Sequence, residues 1–466
     1  MQKKSREEDG PRALEASFRD PAGFMFRSRQ GRLLRQINPA GAADFDLATT
    51  SELYKTLIQK ELLIPHRVVS SKGASPHAHA VIAPQVVPYI TYPFEWSFSQ
   101  LKDAALLTLT IQKEAMLHGM ALKDASAYNV QFVDGKPLFI DSLSFEAYKP
   151  GTPWQAYRQF CQHFVAPLTL MSHTDLSLSQ LSRVYLDGIP LDVTVRLLPR
   201  RAKLKPGLMM HLVLHARAQK AKQHDRQSSP RELKQTGLTA ILDSLERNVR
   251  RLQPLKATTE WASYYANNTN YTADAADSKA RLITKLVKPL ALQSVLDLGG
   301  NDGRYSRVLT RLGLQAICTD IDPNAVEANY HYTKLHHETA MLPLLVDLTN
   351  PGGALGWHNT ERAPLHKRLQ TDLVMALALI HHLSISQNLP FSKTAEYLAA
   401  FAPYLLIEFV PKTDSQVQKL LATRKDIFPG YTEEDFEQAF GRIYSLVEKC
   451  PIPKTHRTLY LYKKRK

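Results

Sequence analysis

The chain of 466 residues predicts an α/β protein: an open, mostly parallel sheet in the C-terminal half, preceded by a separate α+β body. Three observations carry this. The apolar run Ser294 to Leu298 passes directly into a glycine-rich turn, Gly299-Gly-Asn-Asp-Gly303. A second apolar run, Leu314 to Thr319, ends in Asp320, 21 residues after Gly299. The length exceeds what one hydrophobic core supports, since single cores stop growing near roughly 250 to 300 residues.

The turn after the first strand is suited to hold a ligand. Without side chains at Gly299, Gly300 and Gly303 the backbone can take positive φ and a bound group can approach it closely. Helical spacing follows over Arg304 to Leu312. The acid at the end of the second strand then accepts hydrogen bonds from ribose hydroxyls in a doubly wound sheet. A dinucleotide is disfavoured, because the frame from Gly299 reads Gly-Gly-Asn-Asp-Gly-Arg and lacks the third glycine that packs helix on strand beside a pyrophosphate. A cofactor with a ribose and no pyrophosphate fits better.

These residues resemble the class I S-adenosylmethionine-dependent methyltransferases, over about the last 200 residues. Asp297, Gly299 and Gly303 fall on the positions of the first motif, with Gly300 a further cofactor-binding candidate between them, Asp320 falls on the ribose acid, and Asp347 on the position that contacts the adenine amino group. Asn301 stands where the family has its middle glycine, and asparagine tolerates the left-handed conformation. The resemblance implies a Rossmann-like domain at residues 256–466 with a seven-stranded mixed sheet, and S-adenosyl-L-methionine as cofactor. For Asp347 a second role stays open, the capping of a turn at Thr349 and Asn350.

The remaining elements follow in order. Thr371 to Leu379 is a nearly continuous apolar run, as expected of a strand buried on both faces. It leads to His381 and His382, which are candidate proton acceptors at the cofactor's reactive end or simply pocket-lining side chains. Tyr404 to Phe409 is a fifth strand with Glu408 near its end, and Tyr444 to Lys449 with Arg457 to Tyr462 forms the closing antiparallel hairpin. Methyl transfer is an in-line displacement that depends mainly on positioning, with a base needed only for a protonated nucleophile. An O- or N-acceptor is therefore favoured over carbon. None of Cys161, Cys318 and Cys450 lies beside the fourth-strand loop, and no Asn-Pro-Pro-Tyr run is present. Tyr264, Tyr265 and Tyr271, ahead of the first motif, are candidate lid or substrate-stacking residues, with helix packing the alternative. The acceptor itself, a small molecule, RNA or protein, is open.

In residues 1–195 an extended aromatic segment, Pro88 to Trp96, precedes helical spacing over Phe98 to His118, then Leu122 to Phe132, an Asp134-Gly135 hairpin turn, and Pro137 to Phe145. This succession resembles the catalytic half of the protein-kinase and aminoglycoside-phosphotransferase fold. Asp124, Asn129 and Asp141 fall on its base and two metal-binding positions. Leu122 replaces the histidine two before the base, Ser142 follows Asp141 in place of Phe-Gly, and neither a phosphate loop nor the strand lysine is visible. The resemblance implies a degenerate domain that recruits substrate or regulates. The alternative functions are a kinase-like phosphotransferase or nucleotide binder carrying a cofactor-binding appendage, and a basic RNA-binding module on a methyltransferase fold.

Residues 196–255 read as a basic helical connector. From Arg196 to Lys256 there are 15 lysines and arginines against 4 acids, +11 of the chain's +15. Such a stripe attracts RNA, anionic lipid or an acidic substrate, although no stacking aromatics interleave with the charges. No run of about 18 apolar residues exists to span a membrane. Met1 to Gly10 has no apolar core of a secretory signal, and three scattered cysteines form neither a disulfide framework nor a zinc site. His77 and His79 sit at alternate positions with no acid nearby in sequence, and no metal site is assigned. A cytoplasmic protein is expected.

Overall fold

The structure is a computed structural model that describes residues 12–70, 74–218, 233–255, 273–422 and 426–465. It divides into two compact units. The first takes Met1–Phe94, Phe98–Leu255 and Ala354–Ala363; the second takes Glu95–Ser97, Lys256–Gly353 and Pro364–Lys466.

Unit 1 opens with β1 (Gly23–Arg27), β2 (Leu33–Ile37), β3 (His66–Val69) and β4 (Ala80–Pro84), an antiparallel sheet in the order β1-β2-β4-β3. Helix Phe98–Leu117 follows, burying Leu101, Ala104, Leu107, Ile111 and Ala115 along one stripe. β5 (Met120–Leu122) then leads to the turn at Ala127–Asn129 and to the hairpin of β6 (Val130–Val133) and β7 (Lys136–Phe139). Asp134 and Gly135 close that hairpin at φ 50° and 75°, the pair of left-handed residues its two-residue turn requires. β8 (Phe145–Ala147) returns to pair with β5. Small sheet, long helix, acid-bearing loop, hairpin and apolar-Asp is the element order of the kinase-like fold.

The basic stretch from Arg196 does not stand apart. Its described residues are helices of unit 1, because they carry apolar stripes that need covering. Gln235–Arg251 buries Leu238, Leu242, Leu245 and Val249, while Lys113 of the long helix reaches Asp243 and Glu246, each at 2.6 Å.

Unit 2 is built on seven strands: β9 (Ser294–Leu298), β10 (Gln315–Asp320), β11 (Met341–Leu345), β12 (Leu373–Ala376), β13 (Tyr404–Phe409), β14 (Tyr444–Pro451) and β15 (Thr458–Lys464). Their order is β11-β10-β9-β12-β13-β15-β14, parallel except that β15 runs antiparallel to both its neighbours. This is the Rossmann-like, mixed seven-stranded sheet of the class I methyltransferases. All five residues of β9, an interior strand flanked by β10 and β12, are buried. The order reverses between β9 and β12, and in open α/β sheets ligands bind outside the carboxyl ends of strands at such a point.

β12 is shorter than the apolar run suggests. It stops at Ala376, and Ala378 takes φ 49° with its N–H donated to Glu408 Oε2 at 2.9 Å. A buried carboxylate thus draws the backbone out of the ladder.

Candidate functional site

A cavity of about 560 Å³ opens at the carboxyl ends of β9, β10 and β12, within the usual range of ligand sites. Gly299, Gly300 and Asn301 form one wall. Gly299 has φ 71° and Asn301 has φ 51°, so asparagine does take the left-handed conformation there. A Cβ on Gly300 would lie 2.5 Å from Cys318 Sγ and 2.7 Å from Asp297 Oδ2, which leaves no residue but glycine. Gly303, with φ 81°, does not line the cavity; it lets the turn close on Asn329 and Arg307 of the layer behind.

Three acids face this space. Asp320 at the tip of β10 accepts from the Asn301 N–H and the Asp322 N–H, both at 2.9 Å, so it also fixes the glycine turn. Burial raises its pKa. Asp297 is buried and accepts from Ser306 Oγ at 2.6 Å; burial pushes its pKa up to about 7, against that hydrogen bond. Asp347 lies on the loop after β11, where its carboxylate accepts from the Thr349 N–H at 2.8 Å and the Thr349 hydroxyl at 2.7 Å. It therefore caps its own turn while lining the cavity. Ile321, Val346, Leu348 and Leu379 give the space apolar walls.

The two histidines part company. His382 lines the cavity, with a pKa pushed down to about 4 by burial and by the Arg457 guanidinium, and is a neutral imidazole at pH 7. His381 is 1% exposed and outside the lining; neither of its ring nitrogens has a hydrogen-bond partner, and its ring packs on His382 at 4.2 Å between centroids. The π-helical turn His382–Ser386 follows β12 after Leu377 to His381, and where it begins one ring meets the cavity and the other stays buried. Tyr264, Tyr265 and Tyr271 lie outside the described residues.

Beneath the cavity floor is an ion network whose roles were not legible in the sequence. Glu408 is fully buried and paired with Lys279; its other oxygen meets Arg457 Nη1 at 3.3 Å. Arg457 in turn grips Asp414 with Nε and Nη2 at 2.8 and 3.0 Å. Lys279 and Arg457 both reach the cavity wall, and the Lys279 ammonium lies 4.6 Å from the Tyr305 ring centre. A lone Glu inside the apolar strand Tyr404-Leu-Leu-Ile-Glu-Phe409 was the available signal, because a charge there requires a buried partner.

In unit 1 the residues at kinase-like positions do come together, though around a cation from the small sheet. Arg35 of β2 is ion-paired with Asp141 and reaches Asp20 at 3.3 Å. Asp141 also accepts from Ser144 Oγ at 2.6 Å and the Leu143 N–H at 3.1 Å, and Asn129 Nδ2 donates to that same Ser144 Oγ at 3.1 Å. The guanidinium holds the Asp141 carboxyl below its usual range against burial, whereas burial and Asp141 itself raise Asp124. Arg35 therefore occupies the carboxylate at the metal position, and among the described residues no group of three or more His, Cys, Asp or Glu is arranged to hold a metal ion. His79, for its part, meets Asp46 at 2.8 Å.

No family model matches the chain. Nodulation protein NoeA of Rhizobium meliloti (strain 1021) is 35% identical to it over 469 residues, covering 97% of this chain and 96% of that protein. The chain belongs to the NoeA family. Among solved structures, the N-methyltransferase NodS from Bradyrhizobium japonicum WM9 aligns with 42% of this NoeA-family chain and 98% of its own, at 11% identity and a TM-score of 0.31. Magnesium protoporphyrin IX methyltransferase from Synechocystis PCC 6803 covers 45% and 90%, at 17% and 0.31. WbdD aligns at 16% identity and 0.31, with the NoeA-family chain spanning 43% of its length. The methyltransferase fold of unit 2 rests on its strand order.

Proposed function

We propose that unit 2 is an S-adenosylmethionine-dependent methyltransferase acting on an oxygen or nitrogen atom, that unit 1 recruits substrate or regulates, and that the protein is cytoplasmic. The observation that carries the reading is Asp320, placed at the strand tip with one face tied to the glycine turn and the other on the cavity. There it accepts from ribose hydroxyls, the apolar walls take the base, and the Gly299–Asn301 backbone admits the rest of the cofactor. The bound sulfonium supplies an electrophilic methyl group. His382, neutral at pH 7, stands at the carboxyl end of β12 to take the proton of a hydroxyl or amine acceptor. The Arg35–Asp141 pair speaks against metal-dependent phosphotransfer in unit 1 and for a binding role.

The test is calorimetric titration of S-adenosylmethionine into wild type and Asp320→Ala. Losing charge-assisted hydrogen bonds costs about 1.5 to 3 kcal/mol, so affinity should fall roughly tenfold to a hundredfold. Absence of binding to wild type would refute the enzyme reading.

Binding should also release protons. An acid with a folded pKa near 7 is about half protonated at neutral pH, and its contribution to stability declines as pH rises from the unfolded value near 3.8 toward 7. A cationic sulfonium in the cavity lowers that pKa, so Asp297 gives up part of a proton on binding at pH 7. Titrations at pH 7 in buffers of different ionisation enthalpy should give different apparent heats, and Asp297→Asn should remove the difference. Equal heats for wild type would count against this role.

A further inference from the structure

Unit 1 holds a second cavity, of about 580 Å³, between helices Leu191–Leu197, Arg200–Lys203 and the π-helical turn Met209–Leu214. Four cations line it: Arg196, Arg200, Lys203 and Arg217. The single acid, Asp192, is engaged by Arg196 at 3.2 Å. Among the described residues the side chains of Arg200, Lys203 and Arg217 make no ion pair, Arg200 and Arg217 are exposed, and Lys203 is half-buried at the cavity wall. The rest of the wall is apolar, with Leu204, Met209 and Val213 prominent.

The same helices expose apolar side chains. Leu204 is 73% exposed, Leu214 50%, Leu197 42% and Met210 40%. Scattered surface leucines need no explanation, but three leucines and a methionine exposed within the short stretch that carries these cations make it amphipathic. A free phosphate would satisfy the cations and gain nothing from Leu204 or Leu214. Nucleic acid would want stacking faces, and no aromatic residue lines the cavity. The ligand that uses both features has an anionic head joined to hydrocarbon.

The geometry points to a docking site for an anionic phospholipid surface: headgroup phosphates meet Arg200, Lys203 and Arg217, and Leu204, Met210 and Leu214 enter the acyl boundary. Among the described residues no helix is long and apolar enough to cross a membrane, so this is attachment to one face of a bilayer. The site is independent of the methyl-transfer reading. It gives the basic stretch a partner of stated chemistry.

The experiment is co-sedimentation of the full chain with pure phosphatidylcholine vesicles and with vesicles containing phosphatidylglycerol. Retention on the anionic vesicles alone is expected. Arg200→Ala with Lys203→Ala should lower partition roughly twenty-fivefold, about fivefold for each charge removed, and leave a shallower salt dependence. Leu204→Ser should lower it about tenfold with the salt dependence unchanged, since it removes buried hydrocarbon and no charge. All these side chains are exposed or half-buried, and melting curves establish that the variants fold. Equal retention on both vesicles, or on neither, overturns the proposal. So does full binding by Leu204→Ser, which would mark a site for a soluble anion, or displacement from vesicles by oligouridylate, which would mark one for nucleic acid.

Discussion

Glu408→Ala is expected to destabilise unit 2 by about 3 to 5 kcal/mol, the usual cost of stripping one partner from a buried ion pair. Glu408 is fully buried between Lys279 and Arg457 and also holds the Ala378 N–H. Its removal takes the buried carboxylate from Lys279 and the acceptor from a backbone donor, and leaves Arg457 to Asp414. For a unit of this size the melting transition should fall by roughly 10 °C. Burial already draws the Lys279 pKa below its ordinary value with Glu408 present. In the variant it falls further, so the folded protein binds fewer protons than the unfolded one, and the deficit should narrow as pH rises from 7 toward 10. Adding Lys279→Met should recover part of the loss at pH 7. A variant that melts with wild type would show that this network does not hold the sheet.

Gly303→Ala should cost roughly 2 to 4 kcal/mol. Two contributions combine. A side chain at φ 81° pays about 1 to 2 kcal/mol for the left-handed conformation. The new Cβ also lies 2.7 Å from Asn329 Nδ2 and 2.8 Å from Arg307 Nη1, within a buried set in which Arg307 donates to Asn329 Oδ1 at 2.8 Å and to Glu338 at 2.9 Å. Gly313→Ala separates the two, because Gly313 has φ 94° with nothing within 4 Å of its would-be Cβ and pays the backbone cost alone. The urea midpoint should drop further for Gly303→Ala. Equal midpoints would mean that the neighbours yield freely.

Much of unit 2 was legible because its information is local. The apolar runs at β9, β10 and β13 match the strands closely, and the acids end them where a switch point demands. The Asp134-Gly135 turn was legible for the same reason, a two-residue signal with one preferred geometry. What escaped depends on partners distant in sequence. Arg35 and Asp141 are 106 residues apart, Lys279 and Glu408 129 apart, and nothing near either residue announces the other. The early end of β12 is the same effect, since its cause is Glu408 on the neighbouring strand. His381 and His382 look alike in sequence, and only the helical rotation after β12 decides which one meets the cavity.

The strand order carries a consequence for synthesis. β15 is the last of the seven strands to be made, yet it lies between β13 and β14, not at a margin. Until Arg457 and the residues after it leave the ribosome, β13 has an open edge, β14 has no partner, and Glu408 waits beside Lys279 without its second cation. Stop codons placed ahead of β15 would therefore delete an interior wall of the sheet, and nascent chains halted there should be held by chaperones until the final strand arrives.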